Sequence, residues 1–263
     1  MKKLFYIIFA ITVLFSKSSK INYDEIFSKF YYSTNKEKMK YIKILGDGAR
    51  SNNPKALYYS GLIFDKIFPK ATSKKMVKFL YKKSIKEYQK RNDKNIVYPL
   101  YALGTLLMEE KKYKEGIKLL NQCSNLNYYK ATMYLIRFYE VENFKNYQSF
   151  TKKRYELLFN LYKKLLHSKK YYSKALVGLG ALYMNVKYKK FRNYDLALKY
   201  SLEAAKEFGE HEAYDNLVSF YRYIDSKYKD INKSYHWKAL GIVEYITRFN
   251  ESVEGMMSMP NWE

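Results

Sequence analysis

Gly178 and Gly180 lie two apart in KALVGLGALY, Lys174 to Tyr183, and glycines at that spacing open the loops that wrap phosphate groups in nucleotide-binding proteins. Such a loop needs a preceding strand, a third glycine and a helix N-terminus aimed at the phosphate. Position 183 is Tyr and the flanks carry apolar residues at helical spacing, so both glycines read as interior helix positions. A second candidate is HEAYD, His211 to Asp215, which begins like a zinc-protease helix but has Asp215 where the second histidine ligand belongs. The other two histidines, His167 and His236, make no pair at ligand spacing, so no metal or other cofactor is expected. Cys123, the only cysteine, sits in LLNQCSNL on a helical pattern and reads as a half-buried structural thiol. The acid pairs Glu109/Glu110 and Glu140/Glu142 adjoin helix ends or loops, where exposed carboxylates are common. No P-loop or nucleophile elbow occurs, and no nucleophile, base and orienting residue come together in sequence. The expectation is a protein without catalytic activity.

The elements that carry these residues follow from a repeat. An alanine followed four residues on by leucine and four further by tyrosine occurs at Ala131, Leu135, Tyr139, at Ala175, Leu179, Tyr183 and at Ala213, Leu217, Tyr221. Degenerate copies are Ala56, Ser60, Phe64 with Gly61 beside the middle position, and Pro99, Leu103, Leu107 with Gly104 there. The copies start 43, 32, 44 and 38 residues apart, in the range of stacked helical hairpins. Residues four apart share a helix face, so each set is a packing stripe on the first helix of a hairpin. A second amphipathic stretch follows each copy. The clearest is NYDLALKYSLEAAKEFG, where Asp195 is expected to cap, Leu196, Tyr200 and Ala204 form the stripe and Gly209 ends it. The corresponding stretches are Met76 to Tyr88, Tyr113 to Cys123, Tyr155 to His167 and Ser234 to Phe249. Strand signals are nearly absent. Glycine inside a helix costs about 1 kcal/mol relative to alanine. Gly61, Gly104 and Gly180 are therefore expected where a neighbouring helix approaches too closely for a side chain.

ALVGLGALY followed by YDLALKYSLEAAKEFGEHEAYDNLVSFY resembles the Sel-one-like (Sel1-like) repeat family, a relative of the tetratricopeptide repeats. Ala197, Ala204, Ala205, Gly209 and Ala213 stand where that family places its second-helix alanines, its glycine and the next repeat's alanine. The likeness is good over residues 172–225 and weaker over 53–141 and 230–249. The family's glycine soon after the motif tyrosine is missing from 184–192, and only Trp237 matches its second-helix aromatic. The resemblance implies an all-α, right-handed α-solenoid of stacked antiparallel helical hairpins. A secreted branch pins each hairpin with a disulfide and is associated with β-lactam binding; a chain with one cysteine lacks those bridges, and that activity ranks below the other readings.

The resemblance also implies that first helices line a concave groove, through the residue before each motif alanine and those two, six and nine positions after it. Its polar and aromatic members are Lys55, Tyr58, Tyr98, Tyr101, Thr105, Lys130, Arg137, Glu212, Asp215 and Arg222. Tyrosine with lysine or arginine suits a protein or peptide partner, since tyrosine contributes area at low entropy cost and arginine hydrogen-bonds directionally. The expected function is an exported scaffold for protein–protein interaction.

Export is read from Lys2 and Lys3, the apolar run Leu4 to Phe15, and Ser16 and Ser18 before a cleavage expected after Ser18. That run is shorter than the roughly 18 residues a membrane span needs, and an uncleaved anchor is the alternative. The division is then a signal peptide at 1–18, a divergent helical hairpin at 19–52, about five repeat hairpins at 53–249 and a tail at 250–263. The net charge of +24 would draw anionic envelope polymers or lipid headgroups, which is the alternative function. The lysines form no block, which disfavours nucleic acid, and an AT-rich codon bias accounts equally well for many of them.

Overall fold

The computed structural model describes residues 21–70, 72–145, 151–184, 188–224 and 227–257. The expected signal at 1–18 lies outside the described residues. The helices are α1 (Tyr23–Tyr32), α2 (Asn35–Arg50), α3 (Pro54–Leu62), α4 (Lys74–Lys90), α5 (Val97–Glu109) and α6 (Tyr113–Asn125), then α7 (Tyr129–Lys145), α8 (Lys152–Leu165), α9 (Tyr172–Tyr183), α10 (Tyr194–Phe208), α11 (His211–Tyr223) and α12 (Ile231–Met257). No strand occurs among the described residues. Within each compact unit, consecutive helices pack on each other as the all-α repeat reading requires. The chain divides into two compact units, 1–122 and 123–263. α1 to α5 and most of α6 belong to the first, and α7 to α12 to the second.

Short polar residues start several of the helices, though Ile96, Tyr171 and Glu210 precede α5, α9 and α11 without a side-chain cap. Asn53 accepts hydrogen bonds from the Lys55 and Ala56 amides and Pro54 takes the first helical position, while Thr34 and Glu37 form a capping box on α2. At α10 the cap is Asn193, which accepts from the Leu196 amide, and not Asp195. Asn193 has the extended backbone that a cap needs, whereas Asp195 is already inside the first turn, where its carboxylate accepts from the Tyr228 hydroxyl at 2.7 Å. The helix ends show a feature that composition hides. Gly209, four residues before Ala213, ends α10 with a left-handed φ of 57°. Asn52 and Asn127, four before Ala56 and Ala131, take φ of 58° and 60°. Asparagine thus does the work of the repeat glycine after α2 and α6, since it tolerates this conformation better than other side chains do. The second helices also run longer than their stripes: α4 starts at Lys74, α8 at Lys152, and α12 continues to Met257 through the first part of the expected tail.

The repeat glycines are contact points. A Cβ on Gly61 would stand 2.7 Å from the Tyr81 ring of α4, and one on Gly104 only 3.0 Å from Leu120 of α6. Gly180 faces α10, where a Cβ would lie 2.5 Å from Ser201 Oγ. Gly178 faces the other neighbour of α9: a Cβ there would fall inside the Tyr162 ring contact on α8. The two glycines of KALVGLGALY therefore seat α9 between α8 and α10 and bind no phosphate through a loop. Around them Ala175, Leu176, Leu179, Ala197 and Ala204 are fully buried. Cys123 is fully buried too, not half-buried, and burial pushes its thiol pKa up to about 12.

Gly178→Ala should therefore lower stability by about 1–3 kcal/mol, because a well-packed ring has to move, less the roughly 1 kcal/mol by which alanine favours a helix. Gly46→Ala is the opposing control: the nearest atom to its Cβ would be Arg50 Nη1 at 3.7 Å, so the melting temperature should hold or rise. Thermal unfolding of both variants, followed by circular dichroism, checks the pair.

Candidate functional site

In the first unit, α1, α3, α4 and the start of α5 surround a recess of 360 Å³. Three of the residues expected from sequence line it: Lys55, Tyr58 and Tyr98. Position in the helix explains why. Lys55 and Tyr58 are three apart on α3 and share a face, and Tyr98 opens α5 at the register equivalent to Lys55. The Tyr58 ring lies 6.1 Å from that of Tyr98 and 5.1 Å from that of Tyr59. Phe27 stacks on Tyr59 with centroids 4.4 Å apart. Asp24 of α1 accepts from Lys55 Nζ at 2.6 Å and from the Tyr59 hydroxyl. Burial alone would raise the Asp24 carboxyl; its hydrogen bonds from Lys55 and Tyr59 outweigh that and hold it below the usual range. Tyr58 is pushed up to about 12, first by burial and then by the proximity of Tyr98. Tyr98 remains 42% exposed. The recess is thus an aromatic pocket with one internally paired carboxylate and a solvent-facing tyrosine at its rim. The register missed Asp24, Tyr59 and Tyr88. α1 has no repeat copy to align, Tyr59 is one position around α3 from Tyr58, and Tyr88 comes from a second helix.

A charged cluster occupies the first helices of the second unit. Lys174 Nζ donates to Glu210 at 2.6 Å and to Glu212 at 3.3 Å, and Ser173 also donates to Glu210. Glu140 of α7 accepts from the hydroxyl of Tyr162, which is buried on α8. Burial raises the Glu140 carboxyl; Tyr162 and Arg137 oppose this, and Glu212 adds to it. Burial would likewise raise Glu212, but its own helix-start amide and Lys174 hold it below the usual range. Arg137 and Glu212, both expected, therefore act on one half-buried carboxylate. The same register points to Lys174, just before Ala175, and to Glu140, nine after Ala131, so these two were legible as positions.

The remaining expected residues are dispersed. Tyr101 is half-buried on α5, and the Thr105 hydroxyl donates to the Ala102 carbonyl of its own helix at 3.0 Å. Lys130 and Asp215 are exposed near the starts of α7 and α11. Arg222 lies across the ring of Tyr235, 5.6 Å from its centroid, with Nε buried and unbonded among the described residues. No cluster of three or more metal-ligating side chains occurs among the described residues. His211 opens α11 as an exposed residue with its ring 5.7 Å from that of Tyr245.

Paired helices, glycine-seated contacts and a polar first-helix surface define a helical-repeat protein of the tetratricopeptide type. More particularly, the fold is the Sel1-like one: the chain is similar to the crystal structure of a Sel1 repeat protein from Oxalobacter formigenes, with a TM-score of 0.58 and 18% identity over 84% of each chain. No family model matches the sequence, and no curated protein does. The likeness establishes a helical repeat fold.

The Glu140 carboxyl should titrate above the roughly 4.3 of an unperturbed glutamate, as followed by carboxyl-carbon NMR. Arg137→Ala should raise it further and Glu212→Gln should lower it. A raised folded value means that Glu140 stabilises the fold fully below its unfolded pKa, and that this contribution is lost as pH rises through the folded value. Glu140→Gln should flatten that part of the stability profile.

Proposed function

We propose that the protein is a scaffold that binds a peptide segment of another protein on its first-helix face, at the recess around Lys55, Tyr58 and Tyr98. The observation that carries this reading is the recess itself, an aromatic pocket of 360 Å³ with Tyr98 at its open side. Pockets that take a side chain of a partner combine buried aromatic walls with few polar groups. Asp24 and Lys55 satisfy each other, so the entering group need not neutralise a charge. The helical repeat fold supports the same reading, because stacked hairpins offer an extended surface of first helices built from separate, interchangeable positions.

A displayed peptide library selected against the protein, followed by fluorescence anisotropy of the enriched sequences, tests it. Tyr98→Ala should weaken binding by about tenfold or more, as for a central aromatic contact. Tyr32→Ala removes a tyrosine that is 84% exposed on α1 and should leave affinity unchanged. Affinity should persist at high salt, since the recess walls are mostly aromatic and its one charged pair, Asp24 and Lys55, is satisfied internally. Equal loss in both variants, or selection of no sequence above background, would remove the recess as the binding site.

A further inference from the structure

The positive charge is not distributed evenly over the helices. First helices are nearly neutral: α3 carries Lys55 alone, α5 carries Glu109 and no cation, and α11 sets Arg222 against Glu212 and Asp215. Among second helices, α10 is balanced slightly toward acid, with Lys199 and Lys206 against three carboxylates. α4 is the extreme case, with seven lysines and the single carboxylate Glu87. The excess is instead concentrated on α2, α4 and α8, while α12 sets Lys233, Lys238 and Arg248 against three glutamates. A codon bias toward lysine would act on every helix alike, so it does not explain this concentration.

The lysines of α4 also have an orientation. Val77, Tyr81, Ser84 and Tyr88 bury one face, and Lys75, Phe79, Lys82, Lys86 and Lys90 form the opposite stripe at intervals of four, three, four and four. Phe79 sits within that stripe and is 55% exposed; Met76 beside it is 49% exposed. Lys78 is taken up by Glu110 and Lys90 by Glu87. Lys75, Lys82, Lys83 and Lys86 form no ion pair among the described residues, and of these only Lys86 adds to the hydrogen bond from Lys90 that holds the buried Glu87 carboxyl below the usual range. α2 repeats the device, with Met39 66% exposed between Lys38 and Lys40.

We propose that the outer face of α4 docks the protein on the surface of an anionic phospholipid bilayer. The lysines supply attraction to the headgroups, and Phe79 and Met76 enter the interface between headgroups and acyl chains. Two features favour a bilayer over a nucleic acid. α4 contains seven lysines and no arginine, which suits a diffuse negative surface better than the directional recognition of single phosphates. One of the two exposed apolar side chains on α4 is Met76, which fills an acyl interface but offers no ring for base stacking. Attachment through α4 is peripheral, and no helix among the described residues is long and apolar enough to cross a membrane. This face is separate from the peptide recess, so either proposal can fail alone.

Co-sedimentation of the full chain with vesicles of phosphatidylglycerol and phosphatidylcholine, and with vesicles of phosphatidylcholine alone, tests the proposal. The parent should bind the anionic vesicles, and Lys75→Gln/Lys82→Gln/Lys86→Gln should reduce partitioning by about tenfold or more with an unchanged circular dichroism spectrum. Phe79→Ser should reduce it several-fold in the same assay, and Phe79→Trp should give a blue-shifted emission, relative to the parent, on anionic vesicles only. Equal binding of the parent to both vesicle types would overturn the proposal, assigning attachment to the amino-terminal apolar run that all variants share. Retention by the lysine triple variant would overturn it as well. So would tighter binding to a single-stranded oligonucleotide than to vesicles combined with no effect of Phe79→Ser, which would make the stripe a polyanion site.

Discussion

The close approach of helices across glycine is the contact on which the arrangement depends. α9 has a second helix on each side, and at Gly178 and Gly180 the neighbours come nearer than a Cβ allows. Gly61 and Gly104 repeat the geometry on α3 and α5. A helix contacted on two faces has little perimeter left for charge, because a buried charge must be paired to be tolerated. The first helices accordingly carry few net charges, and those they hold near the packed faces are paired, as Lys174 is with Glu210 and Glu212. The scarcity of lysine on first helices follows from this packing, whereas its concentration on α4 goes beyond what solubility requires.

Tyrosine carries the remaining burden. Its ring contributes as much area as phenylalanine, and its hydroxyl needs a partner when buried. Those partners join separate elements: Tyr155 donates to the Leu182 carbonyl, Tyr162 to Glu140, Tyr214 to the Ala205 carbonyl and Tyr172 to Glu203. In the second unit these bonds link first helices to second ones and fix their register beyond what alkyl packing specifies. The abundance of tyrosine is therefore put to structural use, whatever codon preference supplied it. With a single cysteine, buried and unbridged, the fold relies on such bonds and on the glycine contacts.

The candidate sites divide by the same logic. Lys55, Tyr58 and Tyr98 could be placed on one surface from their positions in the repeat, because helix periodicity maps spacing onto direction. Asp24 could not, since α1 comes from a hairpin with no recognisable copy of the motif. Lys174 and Glu140 occupied the right positions, yet spacing alone does not reveal that one is shared between Glu210 and Glu212 and that the other accepts a hydrogen bond from Tyr162. Asn193 replaced Asp195 as the α10 cap for a local reason: which of two neighbouring polar residues takes the extended backbone depends on how the chain enters the helix.

From the residues alone came the helical class, the hairpin repeat and the interior place of its glycines, Gly178 and Gly180 included. All of these follow from periodicity and steric rules that act over a few residues. Tertiary structure decided which side chains share a recess, which carboxylates are paired or buried, and which lysines face outward without a partner. Those properties depend on residues 20 to 40 positions apart meeting across helices, and the burial and neighbouring charge that set them exist only once the helices have packed.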